Sequence, residues 1–255
     1  MKKISLVVKD SKEPLKLAEK IEGYLASRNI KVRYDDAAGD AVIAIGGDGT
    51  ILRAVSLVRN KQVPVLGINF GTTGFLTEVN PGEWRAAADR LLSGDYAVME
   101  RAKLRVEINR KKIGDALNEA VVITSAPVKM LHLQVSVDGE NAGIIKADGL
   151  IIATPTGSTA YSFSCGGPIV DERVNCLVIT PICPVERGAH SLIVPQDSEV
   201  EVKLMKPGRG AVVVIDGERR KKLSYDDNVS FAISENKAYF IRLRKDFYRK
   251  VRERL

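Results

Sequence analysis

Residues 41–55, AVIAIGGDGTILRAV, constrain this chain more than any other stretch. The run from Ala41 to Ile45 is apolar at every position and too short for a helix, which is the pattern of a strand buried on both faces. Gly46-Gly47-Asp48-Gly49-Thr50 ends it. Ile51, Leu52, Val55 and Val58 then fall at helical spacing, with Thr50 placed to cap the helix. A strand that passes through a glycine turn into a helix is the building unit of a parallel α/β layer. In outline the turn is also an anion site. Residues without Cβ let a phosphate approach the backbone, and the first amides of the helix direct partial positive charge at it. Asp48 does not suit a simple phosphate cradle, because a carboxylate among phosphates is repelled unless it takes up a proton or steers a cation. It is therefore the candidate for accepting a hydroxyl proton or directing magnesium.

The surrounding sequence extends this layer. Ile4 to Val8, Lys31 to Tyr34 and Val63 to Ile68 read as further strands, and Leu15, Ala18, Ile21 and Leu25 as a helix with Pro14 in its first turn. After about Tyr96 the pattern changes to short strands separated by turn signals at Asp138-Gly139, Asp148-Gly149, Pro207-Gly208 and Asp216-Gly217. The tail returns to helical period, with Phe247, Val251 and Leu255 four apart. The expected architecture is an α/β N-terminal domain with a parallel, Rossmann-like sheet over residues 1–97 and a mostly β domain over 98–236. A C-terminal segment, 237–255, is expected to return as a helix packed on the first domain.

Composition excludes several function classes. With 45% hydrophobic and 28% charged residues the chain reads as globular. Its longest apolar stretch, Cys176 to Val185, is interrupted by Thr180, Pro181 and Pro184, so no membrane span is expected. The start, MKKISLVVKD, reaches Lys9 and Asp10 before a signal-peptide core can form, and a cytoplasmic location follows as the expectation. Cys165, Cys176 and Cys183 have no CxxC spacing, and His132 and His190 no HExxH pattern, so no metal held by the protein alone is expected. The net charge is +7, but the basic residues are interleaved with acids. The densest run, Arg219 to Lys222, follows an Asp-Gly turn and reads as a solvated hairpin, so nucleic acid is not an expected partner.

The glycine turn is not one of the common nucleotide motifs. GxGxxG would need glycine where Leu52 stands, and a P-loop needs Gly-Lys, which the chain lacks. A serine-hydrolase reading of Ser158 fails for want of a GxSxG elbow and a well-placed histidine.

GGDGT resembles the signature of a kinase superfamily that joins NAD kinases to diacylglycerol and sphingosine kinases. Gly67-Ile68-Asn69-Phe70-Gly71-Thr72-Thr73-Gly74-Phe75-Leu76 resembles the GINxGxxGFL motif of NAD kinases, where lipid kinases carry a different sequence. Asn118-Glu119 is similar to the family's Asn-acid pair. The block from Asp148 to Pro168, DGLIIATPTGSTAYSFSCGGP, closely resembles the NAD kinase pattern DGLIxxTPTGSTAYxxSxGGP.

The resemblance implies phosphorylation of the 2′-hydroxyl of the adenosine ribose of NAD, giving NADP, with ATP or inorganic polyphosphate as donor and a divalent metal, magnesium or manganese, arriving on the donor phosphates. It implies Asp48 as catalytic base, with Gly46, Gly47, Gly49, Thr50 and Arg53 around the donor. On the NAD side it implies Asp48, Gly49, Phe70, Asn118, Glu119, Lys129, Lys146, Asp148, Thr156, Thr159, Ala160, Tyr161, Ser164, Cys183 and Glu218. Residues 98–236 then form the NAD-binding domain. Phe70 and Phe75 can cover a planar base or fill the core; Asn118 can read an adenine edge, and Glu119 suits ribose hydroxyls or a metal. A homodimer or homotetramer is implied, with a neighbouring subunit contributing around Cys183. The chain departs from the family pattern at Val185, at His190-Ser191, and at Glu218, where Asp216-Gly217-Glu218 replaces Asp-Gly-Gln. The alternatives are a lipid kinase of the same superfamily and a non-catalytic sensor of NAD(H) or NADP(H).

Overall fold

The structure, a computed structural model, describes residues 1–36, 38–58, 62–72, 74–126, 129–186, 189–207 and 210–254. Thr73, Gly208 and Leu255, which belong to the motifs above, lie outside the described residues. The chain divides into two compact units, one formed by Met1–Arg101 with Lys237–Leu255 and the other by Ala102–Asn236.

The first unit contains β1 (Lys3–Val8), α1 (Lys12–Ala26), β2 (Lys31–Tyr34), β3 (Ala41–Gly46), α2 (Asp48–Val58), β4 (Val65–Asn69) and α3 (Trp84–Ser93). The strands lie in the order β2-β1-β3-β4, every pair parallel. β3 is apolar and buried at every position, which is why its sequence does not alternate, and β1 is buried from Ile4 to Val8 with Ser5 its one polar residue there. Ile4, Leu6, Ile43, Ile45, Leu66 and Ile68 pack with Ile21 and Leu25 of α1 and Leu91 of α3 in one core. In α1 the buried stripe is Pro14, Leu17, Ala18, Ile21 and Leu25, while Leu15 is exposed. Leu17, three residues before Lys20 and four before Ile21, occupies the inward side instead.

From β5 (Ala97–Ile108) the chain enters the second unit, which divides from the first within that strand, after Arg101. The expected boundary at residue 97 coincides with the strand's first residue. There follow β6 (Lys111–Ala116), β7 (Glu119–Thr124), β8 (Leu131–Val137), β9 (Glu140–Ala147), β10 (Gly149–Ala153), the one-turn helix α4 (Tyr161–Ser164), β11 (Cys176–Ile182), β12 (Leu192–Pro195), β13 (Val200–Leu204), β14 (Ala211–Ile215), β15 (Arg219–Leu223) and β16 (Asn228–Arg242). One antiparallel sheet runs β12-β11-β10-β7-β14-β15. β8 pairs with β9 and with β13, and β13 pairs with the first residues of β16. Leu133, Val135, Val200, Val202 and Phe231 meet Val122, Leu150, Ile152, Leu177 and Val213 in a shared core. The alternate residues of the same strands, Val121, Ile151, Ala153 and Val178, face a second cluster with Val170 and the partly buried Cys165. β7, β10 and β11 are thus covered on both faces, as their unbroken apolar runs require.

The end of β16 and α5 (Phe247–Arg254) belong to the first unit, where Phe240 pairs with Val65 and Ile241 joins the core. The expected tail helix forms, but its most buried residue is Lys250, with Phe247 and Val251 half-buried beside it. Among the described residues no helix is long and apolar enough to cross a membrane.

Candidate active site

β3 ends at Gly46, and α2 starts two residues later at Asp48. A Cβ on Gly46 would stand 2.7 Å from the Thr50 Cβ, so the strand can turn this sharply into the helix only with glycine there. The Gly47 carbonyl accepts the amides of Thr50 (3.0 Å) and Ile51 (3.3 Å). The helix therefore begins two residues before the expected cap, and Thr50 lies in its first turn. Ala54 replaces Leu52 on the buried face, where it joins Ile51, Val55 and Val58. The Thr50 amide is engaged within the turn.

Asp48 is held from outside the helix. Its Oδ2 accepts the Phe75 amide at 2.9 Å and its Oδ1 the Leu76 amide at 3.0 Å. Two fixed donors from the loop orient the carboxylate. The Phe70 amide donates to the Gly46 carbonyl at 2.8 Å, and the Phe70 side chain packs against the core of the first unit. Arg53 donates to Asp35 Oδ1 (2.7 Å) and the Val8 carbonyl (3.0 Å).

In the second unit the structure builds a second constellation around Asn118 and Glu119. Asp216, half-buried at the turn between β14 and β15, accepts the amides of Leu117 (2.7 Å), Asn118 (2.8 Å) and Glu119 (3.2 Å). On the other side Thr154 Oγ1 donates to the Leu117 carbonyl (2.6 Å), the Thr154 amide donates to the Asn118 carbonyl (2.9 Å), and the Gly157 amide returns to Thr154 Oγ1 (3.2 Å). Asp216 and Thr154 were not among the expected site residues. Asp216-Gly217 carries the signal of a turn, which it is, with φ of 47° and 72°; the turn also delivers a carboxylate inward.

Ser158 and Ser162 are wholly buried and structural. The Ser158 hydroxyl donates to the Pro155 carbonyl (2.7 Å) and accepts the Val170 amide (3.0 Å), and that of Ser162 pairs with Thr180 (2.8 Å). Thr156 is buried, Thr159 and Ala160 are half-buried, and Tyr161 and Ser164 are exposed. The Tyr161 amide faces the Glu119 carboxylate and works to lower its pKa. The Tyr161 hydroxyl is pushed up by burial and by the neighbouring Cys165, Cys183 and Asp148, which brings these four expected or adjacent residues together. Lys146 pairs with Glu186 at 3.3 Å, and its carbonyl accepts the Val185 amide at 2.9 Å, so one departure from the family pattern is tied to an expected basic residue. Lys129 and Glu218 are exposed. Asp148-Gly149 is no turn. It leads directly into β10, with the Asp148 amide on the Ile182 carbonyl at 2.9 Å.

Burial, and then the charge of Asp216, push the Glu119 carboxyl up to about 8, against the opposing Tyr161 amide. Asn118 Oδ1 and Glu119 Oε2 are both buried with no hydrogen-bond partner among the described residues. Buried polar atoms are seldom left so, and two neighbouring ones make this a candidate place for a ligand. Because the folded chain holds the Glu119 proton more tightly than the unfolded chain, stability falls as pH rises from about 4.5 to about 8. Glu119→Gln is expected to melt with the parent at pH 5 and above it at pH 8.5, measured by thermal unfolding. Asp216, also raised by burial, leaves the variant a residual slope of the same sign.

Comparison with known proteins now gives this arrangement its family. Residues 117–243 match the ATP-NAD kinase C-terminal domain, and residues 26–96 the ATP-NAD kinase N-terminal domain. The NAD kinase of Methanothermobacter thermautotrophicus is 44% identical, covering 100% of this chain and 96% of its own. That of Methanosphaera stadtmanae is 43% identical, covering 96% of each. The crystal structure of an NAD kinase from Archaeoglobus fulgidus in complex with ATP superposes with a TM-score of 0.86 at 30% identity, over 98% of both chains. A yeast NADH kinase complexed with NADH, 23% identical with a TM-score of 0.91, shares the fold. With both of its halves matched and relatives similar along its whole length, this chain belongs to the NAD kinase family, enzymes that transfer a phosphoryl group to an alcohol.

Proposed function

We propose that this chain phosphorylates NAD to NADP at the 2′-hydroxyl of the adenosine ribose, with ATP or inorganic polyphosphate as donor. The observation that carries this reading is the Asp48 carboxylate, aimed by two loop amides at the start of α2. Asp48 takes the hydroxyl proton as the ribose oxygen attacks the terminal phosphorus of the donor; the new P–O bond forms as the bond to the leaving phosphate breaks. Gly49 supports the placing of the donor. A Cβ there would meet nothing within 4 Å and its φ is not left-handed, so the fold itself does not require glycine. Close approach of a phosphate would.

Among the described residues no group of three His, Cys, Asp or Glu side chains is placed to hold a metal ion. In this reading the divalent cation, magnesium or manganese, enters on the donor phosphates, where it would offset their charge. Asn118 and Glu119 are assigned to the adenosine half of NAD. Near neutral pH the protonated Glu119 can donate to a ligand acceptor, and the vacant lone pairs of Asn118 Oδ1 can receive a ligand N–H or O–H. Tyr161, Asp148 and Cys183 are assigned to the remainder of the dinucleotide, with a homo-oligomer placing a neighbouring subunit near Cys183.

The test incubates pure protein with NAD and magnesium, plus ATP or polyphosphate in separate tubes, and quantifies NADP with a dehydrogenase that ignores NAD. NADP is expected with ATP, and the polyphosphate tube decides donor range. No product with either donor, despite measurable NAD binding, would sink the reading.

A further inference from the structure

Residues 75–79 link β4 to α3 outside any helix or main strand, yet their backbone is gripped throughout. The amides of Phe75 and Leu76 go to Asp48, and those of Glu78 and Val79 to the Gly67 carbonyl at 2.9 and 3.1 Å. Three of the carbonyls, those of Phe75, Thr77 and Glu78, meet the C-terminal segment. Lys250 Nζ on α5 donates to the Thr77 carbonyl at 2.7 Å and the Phe75 carbonyl at 3.2 Å, and Arg244 Nη2 donates to the Glu78 carbonyl at 3.2 Å. Glu78 Oε1 accepts the amides of Leu243 (2.7 Å) and Arg244 (2.8 Å), which fastens the same two segments from the other direction.

The side chain of Lys250 is only 3% exposed, and Asp246 Oδ1 stands 3.5 Å from its ammonium. Asp246 is shared with Arg242 at 3.1 Å and Arg249 at 2.9 Å. An ammonium group at such depth is costly unless its protons are matched, and a methionine would fill similar volume without that cost. What lysine adds is a charge on one particular peptide. The carbonyl of Phe75 and the amide of Leu76 belong to the same planar unit, whose oxygen meets Lys250 and whose N–H meets Asp48 Oδ1. A cation at the oxygen polarises the unit and strengthens donation at the other end.

We infer that Lys250 is a positioning residue for phosphoryl transfer: through the Phe75–Leu76 peptide it holds the amides that aim the Asp48 carboxylate. The inference rests on the assignment of Asp48 as the base. It gives the C-terminal helix a part in the reaction although Lys250 itself does not touch the carboxylate through any of its three contacts above.

A double-mutant cycle on the full chain tests it, with Lys250→Met, Asp48→Asn and the combination assayed for NADP formation under conditions where circular dichroism shows each folded. Lys250→Met is expected to lower kcat about tenfold, with KM for NAD and for the donor changed less than about twofold. In the Asp48→Asn background the same substitution should lower the residual kcat by less than about twofold, because no carboxylate remains to be aimed. Lys250→Arg, which keeps the charge, should recover part of the loss. If Lys250→Met does not stay folded, Lys250→Gln takes its place in the cycle beside Lys250→Arg. Equal losses in both backgrounds, a loss confined to KM, or an unchanged kcat would each overturn the role of Lys250. Near-parent turnover by Asp48→Asn alone would instead remove the base assignment.

Discussion

Asp48→Asn is expected to lower kcat for NADP formation by about two orders of magnitude or more, the usual scale of a lost general base. Asparagine matches the size of aspartate but has no negative charge and only one accepting oxygen. In the parent both oxygens accept amides, from Phe75 and Leu76. The variant must therefore set its NH2 group against one of those N–H donors or turn it away, which also loosens the loop. A stability loss of about 1–3 kcal/mol is expected beside the catalytic one, the range for a buried or half-buried donor left unpaired. The two effects separate by measurement. Unfolding in denaturant reports the loop, and kcat at saturating substrate reports the base. Asp48 meets NAD only at the reacting hydroxyl in this reading and the other assigned NAD contacts are untouched, so NAD affinity by direct titration is expected to change less than about threefold. Turnover near the parent's would remove Asp48 from the role, whatever the stability shows.

How far the molecule could be read in advance follows from where its information is local. β3, the glycine turn and α2 were legible because an apolar run, a breaker and a helical period adjoin in fifteen residues. Even there the helix start was misplaced by two residues, since the Gly47 carbonyl, not the Thr50 hydroxyl, closes the first turn. Asp138-Gly139 and Asp216-Gly217 are true turns with left-handed φ at all four residues. Asp148-Gly149 has the same spelling and runs straight into a buried strand, a distinction set by the partner strands β7 and β11 and not by the dipeptide. The buried charges were illegible for a related reason. Glu78 meets Arg242 at 3.2 Å and Lys250 meets the Thr77 carbonyl across more than 160 positions, and no periodicity links such residues. A lysine four residues after an aspartate in a tail helix reads as a surface pair; only the fold turns Asp246 and Lys250 inward. The motifs of the site were legible, whereas the residues that hold the motifs in place were largely not.

Gly157→Ala shows what that support is worth, and it is expected to act on the NAD side where Asp48→Asn acts on turnover. A Cβ at position 157 would overlap the carbonyl of Asn118 and stand 2.8 Å from its Cα. These are backbone atoms, so no side chain can swing aside. The Asn118 backbone is pinned in turn by Asp216 on one side and by the Thr154 amide on the other. Relief must come from separating the 154–157 turn from the start of β7. That separation moves Asn118 and Glu119, whose unpartnered oxygens are assigned to NAD. Overpacking of this kind costs about 1–3 kcal/mol, which for a chain of this size lowers Tm by roughly 2–12 °C. The KM for NAD is expected to rise about tenfold, on the scale of one or two lost neutral hydrogen bonds, with KM for the donor nearly unchanged. A variant with the lowered Tm but parent KM for NAD would mean that Asn118 and Glu119 serve the fold alone, and the adenosine half of NAD would have to be sought on other residues.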